Sequence, residues 1–499
     1  ATITAGGLAI AASKQLTVNG TLTNNATFTL KDGATFLQAT SGTGIAGTGT
    51  FNVEKALAGN SSTWTTTSGR FWYMGVPMNS VARSSFGTPG ATTNSVWSYS
   101  EATKQYTVIS SGNLSGGTGY VHRRNDNNLF TFSAVGTNGL RGTDLTISGL
   151  TRTSGSSVGF NLISNPYMAY LDWDAVTKTN VETTYYLRSA ATGNISALIS
   201  YNTVGSNYVS GGVPSITTAN DVRYIAPMQA IWVRATAANA SLGLTRSMLS
   251  HQGSNPGLKN TTEFPTLARV NLVDGPRYDQ LLVYMNPDMT NAVDQDDSEK
   301  MFVSGVPQIY TMAAGKKLVM NGLRNDKKKI SVPLYLEIPT SKEYQLQLSE
   351  YILEDGVILL EDKQEGTIQD FTLNDTYTFY ANSGVLQNRF VLHFYLPDAA
   401  ISAQGPSNSW VAEESALNEG GSILVSSNGR GKVTIAQDIT TTGTEKGRVV
   451  IRDAAGREVL NDQFTGTETA FQLEVPSGVY FVEVQLSGQV QVKKVFVQQ

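Results

Sequence analysis

The stretch that decides the fold of the C-terminal part of the chain is GRVVIRDAAGREVL, Gly447 to Leu460. Its pattern continues in FQLEVPSGVYFVEVQLSG, Phe471 to Gly488, and in VQVKKVFVQQ, Val490 to Gln499. Apolar side chains alternate with polar ones, and D-x-x-G and P-x-G turns interrupt the runs. This period-two pattern predicts short antiparallel strands, so we expect residues 422–499 to form one all-β module, an Ig-like β-sandwich.

The composition of the whole chain also favours an all-β fold. Its 499 residues predict about three or four domains, and its 48 glycines are typical of a chain with many tight turns. Only 15% of residues are charged and the net charge is -4, which argues against a nucleic-acid-binding surface. The absence of cysteine excludes a disulfide framework and a thiolate metal site. No apolar run reaches about eighteen residues, so we expect no transmembrane helix.

Residues 1–60 show a short repeat. Leu16, Leu22 and Phe28 recur at intervals of six, with NG, NN and DG between the apolar runs. Short strands at a fixed interval predict stacked, β-solenoid-like rungs, although a plain β-meander is an alternative. Because a few rungs need neighbours to cover their ends, and because the N-terminus lacks a basic region followed by an apolar one, we expect a mature form or a fragment of a longer protein.

Two further modules and a linker complete the predicted organisation. Residues 61–255 and 256–397 carry alternating strands separated by Gly-rich turns, and each is predicted to be a β-sandwich. Residues 398–421, DAAISAQGPSNSWVAEESALNEGG, are small and polar, which predicts an exposed linker.

The first of these sandwich modules resembles a known family. GRFWYMGVP, GFNLISNPYMAYLDWD and APMQAIWVRA are similar to a β module found in large secreted surface proteins of Bacteroidota. YDQLLVYMNPDMTNAVDQDDSEKMF and NRFVLHF in the next module resemble a segment that usually precedes a sorting domain in such proteins.

The last module resembles the type A C-terminal sorting domain of type IX secretion substrates. The resemblance covers the whole module and lies in D-A-A-G-R, P-S-G-V-Y-F-V-E-V and K-K-V-F-V, in that order. The candidate motif residues are Asp453, Gly456, Gly478, Tyr480, Lys493, Lys494 and Val495. Because successive strand residues point to opposite faces, at least one of the two lysines is expected to be exposed. An exposed lysine here is either a contact for the shuttle protein that carries such substrates or an ordinary surface lysine.

This resemblance implies a route and a set of partners. The protein would cross the outer membrane through the type IX translocon, with the domain as its secretion signal. An outer-membrane β-barrel shuttle protein would recognise the domain, and a sortase-like cell-surface protease would remove it by cutting within Ala399 to Gly421. Attachment to lipopolysaccharide often follows, which would leave the protein secreted or at the cell surface, on the outer leaflet of the outer membrane.

The remaining residues offer few candidates for chemistry. The three histidines, His122, His251 and His393, lie in separate parts of the sequence, and no hydrolase, zinc-protease or phosphate-binding motif is present. Many folds can supply the two carboxylates of a glycosidase, but nothing in this sequence singles out such a pair. The acidic run Asp294, Asp296, Asp297 and Glu299 is a candidate Ca²⁺ site, with a solvated turn as the alternative. We expect no other cofactor.

The aromatic residues of the second module have two interpretations. They are a sugar-binding platform or, because buried aromatics dominate sandwich cores, ordinary core residues. The set is Trp72, Tyr73, Trp97, Tyr99, Tyr106, Trp173 and Trp232.

The leading functional hypothesis is therefore a structural or adhesin-like surface protein that is not an enzyme. The alternative is the accessory and sorting region of a larger secreted hydrolase whose catalytic domain lies upstream. The full-length open reading frame would discriminate the two, since an upstream catalytic domain contradicts the adhesin hypothesis.

Overall fold

The structure is a computed structural model, and strands make up 59% of it, against 5% helix. It describes residues 1–38, 44–59, 70–88, 94–124, 126–155, 158–188, 198–211, 213, 216–251, 266–327, 329–353, 356–396, 423–427, 432–437, 446–453, 456–465, 468–476, 478–486 and 489–497. The chain divides into two compact units. The first comprises Ala1–Asp326, Val332–Leu353 and Leu359–Leu392, and the second comprises Lys327–Ser331, Glu354–Ile358 and His393–Gln499. The prediction of an all-β fold is confirmed, whereas the predicted boundaries between modules stay predictions.

The first eight strands form stacked rungs. They are β1 Thr2–Ile3, β2 Leu8–Ile10, β3 Gln15–Val18, β4 Leu22–Asn24, β5 Thr27–Leu30, β6 Thr35–Gln38, β7 Ile45–Ala46 and β8 Thr50–Ala56. Strands β1, β4 and β7 pair in parallel, as do β2, β5 and β8, and β3 with β6. Because a meander pairs its neighbours antiparallel, this arrangement confirms the solenoid-like prediction.

The rung repeat is longer than the spacing noticed in the sequence. Leu8 pairs with Phe28, and Phe28 pairs with Phe51, so one rung takes about twenty residues. The six-residue interval instead separates successive strands of one rung. The rings of Phe28 and Phe51 are fully buried, with centroids 6.1 Å apart in an edge-to-face arrangement that fills the inside of the rungs.

Residues 70–250 form several small sheets. The strands are β9 Arg70–Met74, β10 Ser80–Ala82, β11 Ser95–Ser100, β12 Gln105–Val108, β13 Asn113–Ser115, β14 Tyr120–Arg124, β15 Leu129–Val135, β16 Leu145–Leu150, β17 Phe160–Ser164, β18 Tyr170–Asp172, β19 Thr177–Thr179, β20 Val181–Leu187, β21 Ile199–Asn202, β22 Asn207–Val209, β23 Tyr224–Ile225, β24 Ala230–Ala235, β25 Ala240–Leu244 and β26 Leu249–Ser250.

Among the described residues of this part, the helical structure consists of short turns. The one-turn helix α1 is Asn220–Arg223, and the 3₁₀ turns are Arg83–Phe86, Gly136–Asn138, Trp173–Ala175, Val204–Ser206 and Arg246–Met248. The sheets that matter below are the four-stranded β12-β11-β14-β9 and the five-stranded β17-β24-β20-β21-β22. Strand β15 pairs with β8 and so extends the sheet of the rungs.

One large sheet follows. Its strands are β27 Thr266–Asp274, β28 Arg277–Met285, β29 Ser298–Glu299, β30 Gln308–Ala313, β31 Lys316–Leu323, β32 Lys329–Ile338, β33 Lys342–Leu353, β34 Val357–Asp362, β35 Thr367–Asp370, β36 Thr376–Ala381 and β37 Gly384–Tyr395. The order is β35-β34-β37-β32-β30-β31-β28-β27-β33-β36, and β29 pairs with β31 off this path. Most neighbours are antiparallel, but β28 and β31 pair in parallel.

The described residues of the C-terminal module form two sheets. Its strands are β38 Ile423–Ser427, β39 Lys432–Gln437, β40 Lys446–Asp453, β41 Glu458–Thr465, β42 Glu468–Gln472, β43 Gly478–Leu486 and β44 Gln489–Val497. Strands β38, β39 and β42 form one sheet, and β41, β40, β43 and β44 form the other in that order. The pairs with a described register are antiparallel, as the sequence predicts.

Candidate functional site: the C-terminal module

The two sheets of the C-terminal module share one core. In the four-stranded sheet, Val449 lies opposite Val484 and Ile451 lies opposite Val482, and all four side chains are fully buried. Val433 and Ile435 of β39 belong to the same buried cluster. Its other members are Phe464, Phe471, Leu473 and Tyr480. A core shared by two facing sheets is the packing of a β-sandwich.

The described residues of the D-A-A-G-R motif, Asp453, Gly456 and Arg457, lie where β40 gives way to β41. The Asp453 backbone N–H donates to the Arg457 carbonyl, and the Gly456 N–H donates to the Asp453 carbonyl, each at 2.9 Å. The Asp453 carboxylate accepts from the Arg457 N–H at 2.9 Å and from Arg457 Nε at 2.8 Å. Gly456 has a φ of +81°, a conformation that glycine adopts without the steric cost of a Cβ atom. The motif residues Asp453 and Gly456 therefore fix the turn itself.

The P-S-G-V-Y motif is anchored through its tyrosine. Tyr480 is buried, and its hydroxyl donates a 2.7 Å hydrogen bond to the carbonyl oxygen of Pro476. This hydrogen bond joins the start of β43 to the segment that precedes the strand. A buried tyrosine needs such a partner for its hydroxyl, so the motif position is constrained by both packing and polarity.

A close contact that the sequence did not single out lies at Gly447. A Cβ atom at this position would stand 2.2 Å from the ring of Phe464, which is buried opposite it across β40 and β41. The glycine is required because the ring occupies the space of its missing side chain. A glycine inside an otherwise apolar strand is the signal in the sequence that indicates such a close approach.

The last strand lies at one end of its sheet. Strand β44 pairs with β43, with Phe481 opposite Lys494 and Val482 opposite Lys493. The structure does not describe the side chains of Lys493, Lys494 and Val495. It also does not describe the side chain of Val479, the residue after Gly478. The expected cleavage region, 399–421, also lies outside the described residues. The exposure of the two lysines stays a prediction.

The outward face of this sheet carries apolar groups. Phe481 is 38% exposed and Val459 is 36% exposed, whereas the alternate positions on β43 are buried. The structure shows that the core positions are Val482 and Val484 and that Phe481 points the other way.

The acidic run lies in the passenger, which is our name for residues 1–397. Its carboxylates accept hydrogen bonds from nearby residues of the protein. Asp294 accepts from the Thr290 hydroxyl at 2.8 Å and from the Asp296 N–H at 2.9 Å. Asp297 is buried and accepts from the N–H groups of Asp294 and Gly322, both at 3.0 Å. The solvated turn that the sequence suggested is thus partly an internal one.

The fourth acid of that run points elsewhere. Glu299 pairs with Arg234 at 2.8 Å and with Lys316 at 3.0 Å. Within the described residues no group of three acidic or histidine side chains could hold a metal ion. Burial raises the pKa of Asp297 to about 6. The hydrogen bonds of the run describe a braced loop, and the geometry gives the Ca²⁺ hypothesis no support.

The three histidines have separate surroundings. His122 is fully buried between the rings of Phe86 and Phe130, at 4.7 and 5.2 Å, and burial lowers its pKa to about 3. His251 contacts Thr17 and Thr35, which lie on two successive rungs. His393 contacts Ser331 at 2.8 Å. Each has its own partners, as their separation in the sequence predicted.

The aromatic residues of the second module range from fully buried to half-exposed, and Tyr73, Trp97 and Tyr99 pack against the buried cluster that contains Trp232. Trp173 and Trp232 are buried, whereas Phe71 is 42% exposed and Tyr106 is 45% exposed. Phe71, Trp97, Tyr99, Tyr106 and Val108 share one face of the β12-β11-β14-β9 sheet, as the cross-strand registers show. We call these five residues the aromatic face. The rings of Phe71 and Trp97 lie 6.0 Å apart, and those of Tyr99 and Tyr106 lie 5.2 Å apart.

Comparison with known proteins gives two family matches. Residues 429–498 match the secretion system C-terminal sorting domain, which confirms that the chain is a type IX secretion substrate. Residues 2–394 match a family described as a domain of unknown function, DUF8693. A search of curated proteins found no match. No helix within the described ranges is long and apolar enough to cross a membrane.

Solved structures give only distant likeness. A two-domain fibronectin type III segment from chicken tenascin is 9% identical and covers 32% of this chain and 94% of its own, with a TM-score of 0.12. A β-glucuronidase from Faecalibacterium prausnitzii is 11% identical, with coverages of 34% and 37% and a TM-score of 0.12. Dimeric latent PorU from Porphyromonas gingivalis is 9% identical, with coverages of 75% and 36% and a TM-score of 0.14. These scores carry no argument about fold or function.

The two family matches together cover residues 2–394 and 429–498. The chain belongs to the DUF8693 family and ends in a type IX secretion C-terminal sorting domain.

Proposed function

We propose that this protein is an adhesin-like surface protein whose passenger binds and does not catalyse. After export it would be held on the outer leaflet of the outer membrane. The observation that carries the export part is the sorting domain at residues 429–498, which supports a secreted or cell-surface location. The proposal also includes three partners. A shuttle protein recognises the domain, a sortase-like protease removes it, and the protein is then attached to lipopolysaccharide.

The C-terminal module has features that suit recognition by a shuttle. It has its own core, and its outward face presents Phe481 beside the edge strand β44. An edge strand offers unpaired backbone groups, and an exposed ring offers apolar area at low entropic cost. A folded tag of this kind keeps the same recognition surface whatever passenger precedes it.

The aromatic face supports the adhesive part of the proposal. Its rings lie on one side of a sheet, and the Arg123 guanidinium lies over the Phe71 ring at 5.4 Å to the centroid. Large, partly exposed rings held by a sheet provide a preorganised contact surface. The ligand class we propose is a glycan, whose sugar C–H faces stack on aromatic rings.

Processing is tested by the C-terminus of the mature protein. Mass spectrometry of protein released from the cell surface should find a new C-terminus within residues 399–421. An intact C-terminus, ending in Gln498 and Gln499, on surface protein would contradict removal of the sorting domain.

Adhesion is tested by a double substitution. Phe71→Ala with Tyr106→Ala should abolish most binding of the purified protein to a glycan array, while Tyr351→Ala, another exposed ring, should leave it unchanged. Equal binding by both variants, or no glycan bound by the unaltered protein, would contradict the glycan proposal without touching the export assignment.

A further inference from the structure

One lysine–carboxylate pair of the passenger is set apart by its burial. Lys300 Nζ lies 2.5 Å from Asp279 Oδ2, with the two side chains 3% and 1% exposed. In the other lysine–carboxylate pairs of the described residues, the lysine side chain is a third or more exposed. The well-buried pairs elsewhere, such as Arg389 with Asp362, use arginine.

The pair is poorly suited to remain ionic. Removing both charges from water is costly, and attraction between them offsets the cost only when the remaining polar atoms are also satisfied. Asp279 Oδ1 is buried and has no hydrogen-bond partner among the described residues. Buried polar atoms without a partner are rare in folded proteins, and each calls for an explanation.

The other carboxylate oxygen is held firmly. Asp279 Oδ2 accepts from the backbone N–H of Ile309 at 2.7 Å as well as from Lys300. A fixed N–H donor on one oxygen polarises the carboxyl carbon, as donors to a developing oxyanion do in acyl transfer. Burial also raises the pKa of Asp279, which favours movement of a proton from the ammonium to the carboxylate.

We propose that Lys300 and Asp279 are joined by an intramolecular amide bond that forms spontaneously in the folded protein. The ammonium first passes a proton to the carboxylate, which leaves a neutral amine beside a neutral acid. Lys300 Nζ then bonds to the carboxyl carbon of Asp279, and the bond from that carbon to Oδ1 breaks. Oδ1 leaves as one water molecule that carries two protons from the original ammonium, so no oxidant, cofactor or external acid is consumed.

The bond would resolve what is unusual about the pair. Both charges disappear, the unpartnered oxygen departs, and Oδ2 remains as an amide oxygen that still accepts from Ile309.

The position of the bond suggests what it braces. Asp279 lies on β28, opposite Leu272 of β27, and Lys300 follows β29, where its N–H donates at 2.8 Å to the Lys317 carbonyl of β31. The bond would close a loop over residues 279–300, which includes the acidic run. The chain has no cysteine, so an amide is a covalent brace available to it without redox chemistry.

The test is mass spectrometry of the purified full chain. We expect an intact mass lower than the sequence mass by one water molecule. Trypsin cuts after lysine and arginine, so an unlinked chain yields the peptide Tyr278–Lys300. A linked chain resists cleavage at Lys300 and yields residues 278–316 with one water molecule missing, and tandem spectra should place the link between the two side chains.

A matched pair of variants guards against water loss elsewhere, for instance at Asp-Gly sequences. Lys300→Arg keeps the positive charge but should restore the full sequence mass, while Lys342→Arg, at the more exposed pair with Asp274, should keep the water loss. The proposal is overturned if the unaltered chain has its full sequence mass and releases linear Tyr278–Lys300. It is equally overturned if Lys300→Arg still loses the water. Neither result bears on export or adhesion.

Discussion

The hydroxyl of Tyr480 reaches back four residues to the carbonyl oxygen of Pro476, at 2.7 Å, and so ties the start of β43 to the segment before it. Tyr480 also lies opposite Asp453, the first residue of the D-A-A-G-R turn. Two of the three sequence motifs that identify the sorting domain are therefore neighbours on adjacent strands. What they share is a structural task, which is to fix the shape of one end of the four-stranded sheet.

Replacing the tyrosine should loosen that end. Tyr480→Phe keeps the ring in the core but removes the hydrogen bond, which we expect to cost about 0.5–1.5 kcal/mol. Hydrogen exchange of the full chain, read by mass spectrometry on peptides from β43, should show faster exchange. Tyr351→Phe, at an exposed ring, is the control. Unchanged exchange in β43 would show that the bond contributes nothing measurable.

A methyl group at Gly447 should disrupt the same module. The Cβ would overlap the Phe464 ring, and overpacking of this kind costs about 1–3 kcal/mol. Gly447→Ala should therefore raise the susceptibility of β40 and β41 to limited proteolysis. Because Phe464→Leu makes room, the glycine substitution should cost less in that background. A full, additive cost in the double variant would show that the ring is not the cause.

His122 should make the passenger sensitive to acid. Its folded pKa of about 3 lies below the ordinary value of 6.5, because burial disfavours the charged ring. Between these values the unfolded chain binds a proton that the folded chain does not, so stability falls as the pH drops through this window. The expected slope is about 1.4 kcal/mol per pH unit.

The corresponding variant is His122→Phe, which keeps a ring against Phe86 and Phe130. The melting temperature of the first unit, followed from neutral pH to about pH 4, should fall less steeply in this variant than in the unaltered protein. The charged groups near His122 are Arg83, Arg124 and Asp126. Parallel pH profiles for the two proteins would place the acid sensitivity in some other group.

Calcium should leave the melting temperature of the passenger unchanged. The carboxylates of Asp294 and Asp297 accept hydrogen bonds from N–H groups of their own loop, and Glu299 faces Arg234 and Lys316. A saturable rise in melting temperature on adding Ca²⁺, lost in Asp294→Ala, would contradict this account of the acidic run.

The sequence predicted the features that depend on neighbouring residues. Alternation and turn residues predicted the strands of the C-terminal module, and the D-A-A-G-R turn forms where Asp453 and Gly456 indicate it. The short repeat predicted rungs but did not give their length, because Leu16, Leu22 and Phe28 lie on successive strands and do not stack on one another.

The sequence did not predict features that join residues far apart in the chain. Glu101, in a hairpin turn, is buried, and its carboxylate accepts hydrogen bonds from Gly159 and Thr153. The residues around Glu101 in the sequence do not predict these two donors. The Lys300–Asp279 pair likewise depends on how β28 and the segment after β29 come together. The outward direction of Phe481 depends on strand register, and a shift of one residue exchanges the two faces.

Deletion of residues 422–499 tests the central claim most directly. Cells that produce the shortened protein should be compared with cells that produce the full chain by treating both, intact, with a protease that does not enter them. We predict that the full-chain passenger is digested at the surface, whereas the shortened passenger accumulates inside the cell envelope and is protected until the cells are opened. Equal digestion of the two in intact cells would contradict the assignment of the C-terminal module as the secretion signal.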